Sequence, residues 1–116
     1  MTLEISHNLI AGIQVGFCGD LQSLVTLDLS RNSIVGLEDG LFDGLQRLTT
    51  LDLSYNSIDK LQDGEIGGLQ SLVTFDLSHN RISFIGYRVF SNASDMISLL
   101  SLDLSYNRLT SLEPWW

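Results

Sequence analysis

Apolar and polar residues alternate along this chain in short bursts rather than long stripes. Leu27 and Leu29 are set between Thr26, Asp28 and Ser30, and the same beat returns at Leu51 and Leu53, Phe75 and Leu77, Leu102 and Leu104, and Leu3 and Ile5. A two-residue period that lasts only a few positions predicts a short strand with one buried and one wetted face. Each burst ends on an asparagine. Asn8, Asn32, Asn56 and Asn80 follow one another at intervals of 24 residues, and Asn107 comes 27 after Asn80.

The burst is one phrase in five copies: LEISHN, LDLSRN, LDLSYN, FDLSHN and LDLSYN. An apolar residue follows two places after each asparagine (Ile10, Ile34, Ile58, Ile82, Leu109) and another five places after it (Ile13, Leu37, Leu61, Ile85, Leu112). Leu21, Leu45 and Leu69, then Leu24, Leu48, Leu72 and Leu99, complete a pattern LxxLxLxxNxIxxL. Parallel strands need a crossover of a dozen or more residues, and the remainder of each period supplies it. One unit cannot cover its own apolar stripe, so burial comes from stacking on neighbours, and about three units are the minimum. The expected architecture is an α/β solenoid, with one short parallel strand per repeat on a concave face and a mostly irregular or short helical convex side.

The asparagine column (Asn8, Asn32, Asn56, Asn80, Asn107) needs its own reason, since an unpartnered amide among apolar neighbours costs a few kcal/mol. Its carbonyl and two N–H donors suit it to bridging backbone groups in its own turn and in the adjacent repeat. The expected role is structural.

Departures from the pattern are local. Five residues after the second apolar position stand Phe42 and Phe90, but Ile66 in one repeat and Cys18 in another, where the thiol reads as a small buried hydrophobe. The longer fourth period carries an insertion at residues 91–95, and Asn92, Ala93 and Ser94 within it form an N-glycosylation acceptor triplet. Residues 1–116 read as a single array of about five repeats without polar capping units at either end. Bare ladders at both ends predict head-to-tail self-association.

The 116 residues are 44% hydrophobic and 17% charged, the composition of a folded chain. Fourteen Asp and Glu against six Lys and Arg give a net charge of −8, which argues against nucleic acid as a partner. No apolar run approaches the roughly 18 residues of a membrane span. Cys18 is the only cysteine, so no internal disulfide or thiolate metal cluster is expected, and no cofactor fingerprint is present.

The outward positions of the strands form columns on the concave face. Thr2, Thr26, Thr50, Thr74 and Ser101 make one; Glu4, Asp28, Asp52, Asp76 and Asp103 make an acidic one; Ser6, Ser30, Ser54, Ser78 and Ser105 make a third. One column varies in character: His7, Arg31, Tyr55, His79 and Tyr106, in which His79 with Tyr55 and Tyr106 forms an aromatic cluster suited to protein contact. Carboxylates on neighbouring strands stand about 4.8 Å apart and repel by under about 1 kcal/mol per pair in water. Where that repulsion dominates, mild acidification stabilises the fold; where the carboxylates bond to adjacent hydroxyls, it does not. The two histidines are three strands apart, too far to act as a catalytic pair, and the chain is expected not to be an enzyme.

The repeated phrase resembles the leucine-rich-repeat family over the whole chain. The period, Phe42 and Phe90, and the phrases LFDGLQRLTTLDLSYN and LTSLEPWW look like animal extracellular receptors, above all Toll-like receptor ectodomains. That resemblance implies a horseshoe binding a protein or microbial ligand in innate immunity, at a cell surface or outside the cell. Any membrane attachment would come through parts other than these repeats. A secreted or cell-surface adhesion protein, and a self-assembling filament, are the alternatives.

Overall fold

The computed structural model describes residues 1–90 and 96–110. The insertion at residues 91–95, with the acceptor Asn92, and the stretch 111–116, with Leu112, lie outside them. The chain forms β1 (Thr2–Glu4), β2 (Thr26–Asp28), β3 (Thr50–Asp52), β4 (Lys60–Leu61), β5 (Thr74–Asp76), β6 (Phe84–Ile85) and β7 (Ser101–Asp103). Five of these make one parallel sheet in the order β1-β2-β3-β5-β7. Its register follows the repeat: Leu3, Leu27, Leu51, Phe75 and Leu102 lie side by side, as do Glu4, Asp28, Asp52, Asp76 and Asp103.

On the opposite wall β4 and β6 pair in parallel, Lys60 beside Phe84 and Leu61 beside Ile85. The rest of that wall is turns, with no helix among the described residues. Glycines make these turns. Gly40, Gly44, Gly64 and Gly68 sit at φ between 75° and 95°, a region that disfavours a Cβ.

The core lies between the two walls. Leu27, Leu51 and Phe75 from the strands meet Leu24, Leu48 and Leu72 and the far-wall residues Leu37, Phe42, Leu61 and Ile66, all buried. A fully buried leucine contributes on the order of 2 kcal/mol, and no repeat alone has the partners to bury one. Cys18 is 1% exposed in this core, and burial pushes its thiol up to about 11.

Asparagine bonds tie each turn to the turn before it. Asn56 Nδ2 donates to the carbonyls of Leu53 and Ser54 in its own turn and of Leu29 in the preceding one, while its Oδ1 accepts the N–H of Ile34. Asn32, Asn80 and Asn107 make the corresponding four bonds in their own repeats. Asn8 makes only the two within its own turn.

The third column departs from the sequence expectation. Ser30, Ser54 and Ser78 are buried, at 5–7% exposure, instead of lying on the open face. Alternation carries through Leu29, Leu53 and Leu77, all buried, and breaks at the serine that follows, where the chain turns.

Candidate functional site

The face of the five-stranded sheet opposite the core carries two sets of side chains. The first is the register of Glu4, Asp28, Asp52, Asp76 and Asp103. Each aspartate folds back on its own chain: Asp52 Oδ1 accepts the N–H of Ser54 at 2.9 Å and its hydroxyl at 2.6 Å. Asp76 does the same with Ser78, and Asp103 with Ser105, while Asp28 accepts the N–H of Ser30. This is the turn that aspartate makes two residues ahead of itself. It accompanies the end of β2, β3, β5 and β7, and the serines it holds are enclosed where a further turn covers them, at Ser30, Ser54 and Ser78.

Those bonds bear on the expected acid stabilisation. The Ser105 hydroxyl, then the Ser105 N–H, hold the Asp103 carboxyl below its ordinary value of 3.8, with the charge of nearby His79 in the same direction. At Asp103 these hydrogen bonds to the charged form outweigh the opposing effect of burial. The sign is therefore the reverse of the repulsion case: the contribution of Asp103 is present above 3.8 and lost as pH falls through its folded value.

The second set lies just beyond the strands, at the turn. His7, Arg31, Tyr55, His79 and Tyr106 all have left-handed backbone, φ 55° to 59°. A residue with a Cβ gives up roughly 1 to 2 kcal/mol in that region, and bulky side chains are uncommon there. Two neighbours enforce it. The N–H of each of the first four reaches the serine carbonyl of the next strand, as in Tyr55 to Ser78 at 3.0 Å, and the asparagine that follows is locked by its own bonds.

With one backbone shape repeated in register, the side chains leave the turn in parallel. The Arg31 guanidinium lies 4.0 Å from the centre of the Tyr55 ring. Tyr55 stacks on His79 at 4.1 Å and 8°, and His79 on Tyr106 at 4.2 Å and 9°. Arg31, Tyr55, His79 and Tyr106 thus form one continuous pile across four turns. His7 does not join it; its Nδ1 lies 3.2 Å from the Ser6 hydroxyl. The sequence shows the column and the aromatic cluster, but the part played by Arg31 and the left-handed turn emerge only from the fold.

With both faces of Tyr55 and His79 covered by neighbours, the pile offers edges outward: the Tyr55 and Tyr106 hydroxyls, the imidazole of His79 and the guanidinium of Arg31. Tyr106 is 75% and Tyr55 40% exposed. The arrangement is a polar-edged rail beside a row of carboxylates. His7 and His79 lie in the turns after β1 and β5. Among the described residues no cluster of His, Cys, Asp and Glu is placed to hold a metal ion, and no helix is long and apolar enough to cross a membrane.

The leucine-rich-repeat family model matches residues 1–58 and 46–96, and a second leucine-rich-repeat model matches residues 98–116. Among solved structures, TLR13 in its complex with ssRNA13 superposes with a TM-score of 0.83 at 38% identity, over 90% of this chain and 14% of that one. Drosophila Toll in its complex with Spatzle superposes with a TM-score of 0.80 at 31% identity, over 86% of this chain and 13% of that one. The chain therefore spans only a small part of the length of either receptor. No curated protein matches it. Stacked parallel strands, an asparagine ladder between turns and family matches along the chain carry one conclusion: it belongs to the leucine-rich-repeat family and resembles part of a Toll-like receptor ectodomain.

Proposed function

We propose that this chain is a non-catalytic, ligand-binding stretch of a Toll-like receptor ectodomain, working at a cell surface or outside the cell in innate immunity. Its ligand-facing residues are Arg31, Tyr55, His79 and Tyr106 on the rail, with His7 at its end and Asp28, Asp52, Asp76 and Asp103 beside it. The observation that carries this reading is the rail itself. Four side chains are held parallel at the turn positions where repeats differ most plainly, and a preordered contact surface loses little entropy on binding.

A protein partner is the first reading, because Tyr and Arg are the residues that anchor protein interfaces and because Toll is bound by Spatzle in its complex. The acidic row favours a partner whose contacting surface is basic, with binding that weakens as salt rises. Single-stranded RNA is the second reading, favoured by the TLR13 complex and opposed by the net charge of −8. An extracellular address also makes Asn92 a glycan acceptor, checked as a loss of mass when the secreted protein is enzymatically deglycosylated.

The test is direct binding of a Spatzle-type protein and of a single-stranded RNA to the unsubstituted protein and to Arg31→Ala/Tyr55→Ala, with Arg47→Ala as an off-face control. Protein binding that falls about tenfold or more in the double variant and not in the control supports the reading. Equal binding by all three proteins overturns the assignment of the rail. RNA binding without protein binding overturns the partner class.

A further inference from the structure

The far wall breaks its own pattern at one position. Twenty-four residues before Glu65 stands Leu41, and as many after it stands Val89. Both are core residues, 1% and 3% exposed, and Glu65 is enclosed to the same degree at 6%. A carboxyl group therefore occupies a place that the turns on either side fill with aliphatic side chains. The packing does not require it, since leucine serves the same place one turn earlier.

Glu65 has one short hydrogen bond. Its Oε1 accepts the N–H of Gln62 at 2.6 Å, and its own N–H donates to the Gln62 carbonyl at 3.2 Å, so the pair closes the turn from both ends. The charged groups that act on it are Asp39 from the preceding turn, Asp59 and Lys60. Two carboxylates against one ammonium give no net counter-charge for an ionised Glu65. Burial is the largest influence and raises the carboxyl above its ordinary 4.5; the Gln62 N–H opposes it, Asp39 and Asp59 add to the rise, and Lys60 opposes.

We propose that Glu65 is a proton-operated latch in this wall. Neutral, it packs as one more member of the Leu41 and Val89 column and holds the turn at residues 62–65. Ionised, it places a charge without net counter-charge in that column, a cost that outweighs the stronger bond from the Gln62 N–H, and the turn loosens. The segment leads from β4 into β5, whose own turn carries His79, so the latch acts on the wall behind the rail.

The sign follows from the direction of the shift. A carboxyl raised by folding contributes stability that is full below 4.5 and is lost as pH rises through its folded value. The repeat is firmer in mildly acidic than in neutral solution.

Thermal unfolding of the unsubstituted protein, Glu65→Gln and Glu65→Leu, at low salt and from about pH 5 to about pH 8, reads this out. Glutamine keeps the acceptor for Gln62 and cannot ionise. The expected result is that Glu65→Gln melts a few degrees above the unsubstituted protein at neutral pH, and that the gap closes on acidification. Glu65→Leu should also melt higher at neutral pH. A gap that stays constant across the range overturns the proposal. Should neither variant fold, the Glu65 carboxyl carbon resonance of the unsubstituted protein decides it, and a midpoint at or below 4.5 is the overturning result.

Discussion

Replacing Asn56 with alanine removes four hydrogen bonds in the middle of the ladder, and their loss is unequal. The carbonyls of Leu29, Leu53 and Ser54 each keep a second donor, from Asn32, Asn80 and the Arg31 N–H respectively. The N–H of Ile34 keeps none: its partner is Asn56 Oδ1 at 3.0 Å, and Ile34 is fully buried. An orphaned buried N–H costs about 1 to 3 kcal/mol, and each weakened carbonyl about 0.5 to 1 kcal/mol more. The expected loss is about 3 to 5 kcal/mol, a large part of the roughly 5 to 15 kcal/mol that holds a domain folded. Asn8→Ala is the internal control. Asn8 is exposed and bonds only to Ile5 and Ser6 in its own turn, so its removal should cost under about 1 kcal/mol. Urea unfolding followed by circular dichroism should show the Asn56→Ala midpoint lower by about 2 M, with the slope unchanged. Equal midpoints for the two variants would refute the argument, because they would mean that bonds between turns add nothing to bonds within one.

The rail, the acidic row and the buried thiol give further expectations. His79→Ala should lose about 1 to 3 kcal/mol by breaking both stacked pairs, while His79→Phe keeps most of it. At Tyr55, with φ 55°, glycine should cost about 1 kcal/mol less than alanine because it alone adopts that backbone freely; the opposite order in denaturant unfolding would show that the turn is not strained. Ser105→Ala should move the Asp103 carboxyl upward toward 3.8 in a carbon-detected titration, and shrink the part of the stability that Asp103 loses in acid; an unmoved midpoint contradicts the hydrogen-bond assignment. Cys18, enclosed and with its thiol near 11, should react with a disulfide reagent at about pH 8 only as fast as the protein unfolds, and prompt labelling of the native protein counts against its place in the core.

The strands, their parallel order and their register were readable from Leu27, Leu51, Phe75 and Leu102, because burial there depends only on which residues recur. Ser30, Ser54 and Ser78 are enclosed against the expectation for a physical reason. Alternation is a property of extended chain, and the Asp28 and Asp52 carboxylates end the extended stretch by capturing the amide two residues on. The pair β4 and β6 gave no sign at all, since Lys60–Leu61 and Phe84–Ile85 are too short to show a period. The rail was half legible. The interval of 24 residues aligns Tyr55 with His79, but whether their rings meet face to face depends on a left-handed backbone angle that their neighbours hold and their own identities do not reveal.

That angle explains why variety is concentrated where it is. In every copy the asparagine folds back on the carbonyls three and two residues before it, and the residue between serine and asparagine takes the left-handed region whether it is histidine, arginine or tyrosine. Its backbone is fixed by neighbours and its side chain is excluded from the core. It is therefore the position in the phrase where histidine, arginine and tyrosine can be exchanged without disturbing leucine packing or the ladder. The conformational cost of roughly 1 kcal/mol at each turn is partly offset by stacking of about 0.5 to 1.5 kcal/mol per ring pair. Stability and recognition are thus carried by adjacent residues of one turn: Asn56 holds the stack of repeats together, and Tyr55 is held out from it, parallel to its neighbours, for contact with a partner.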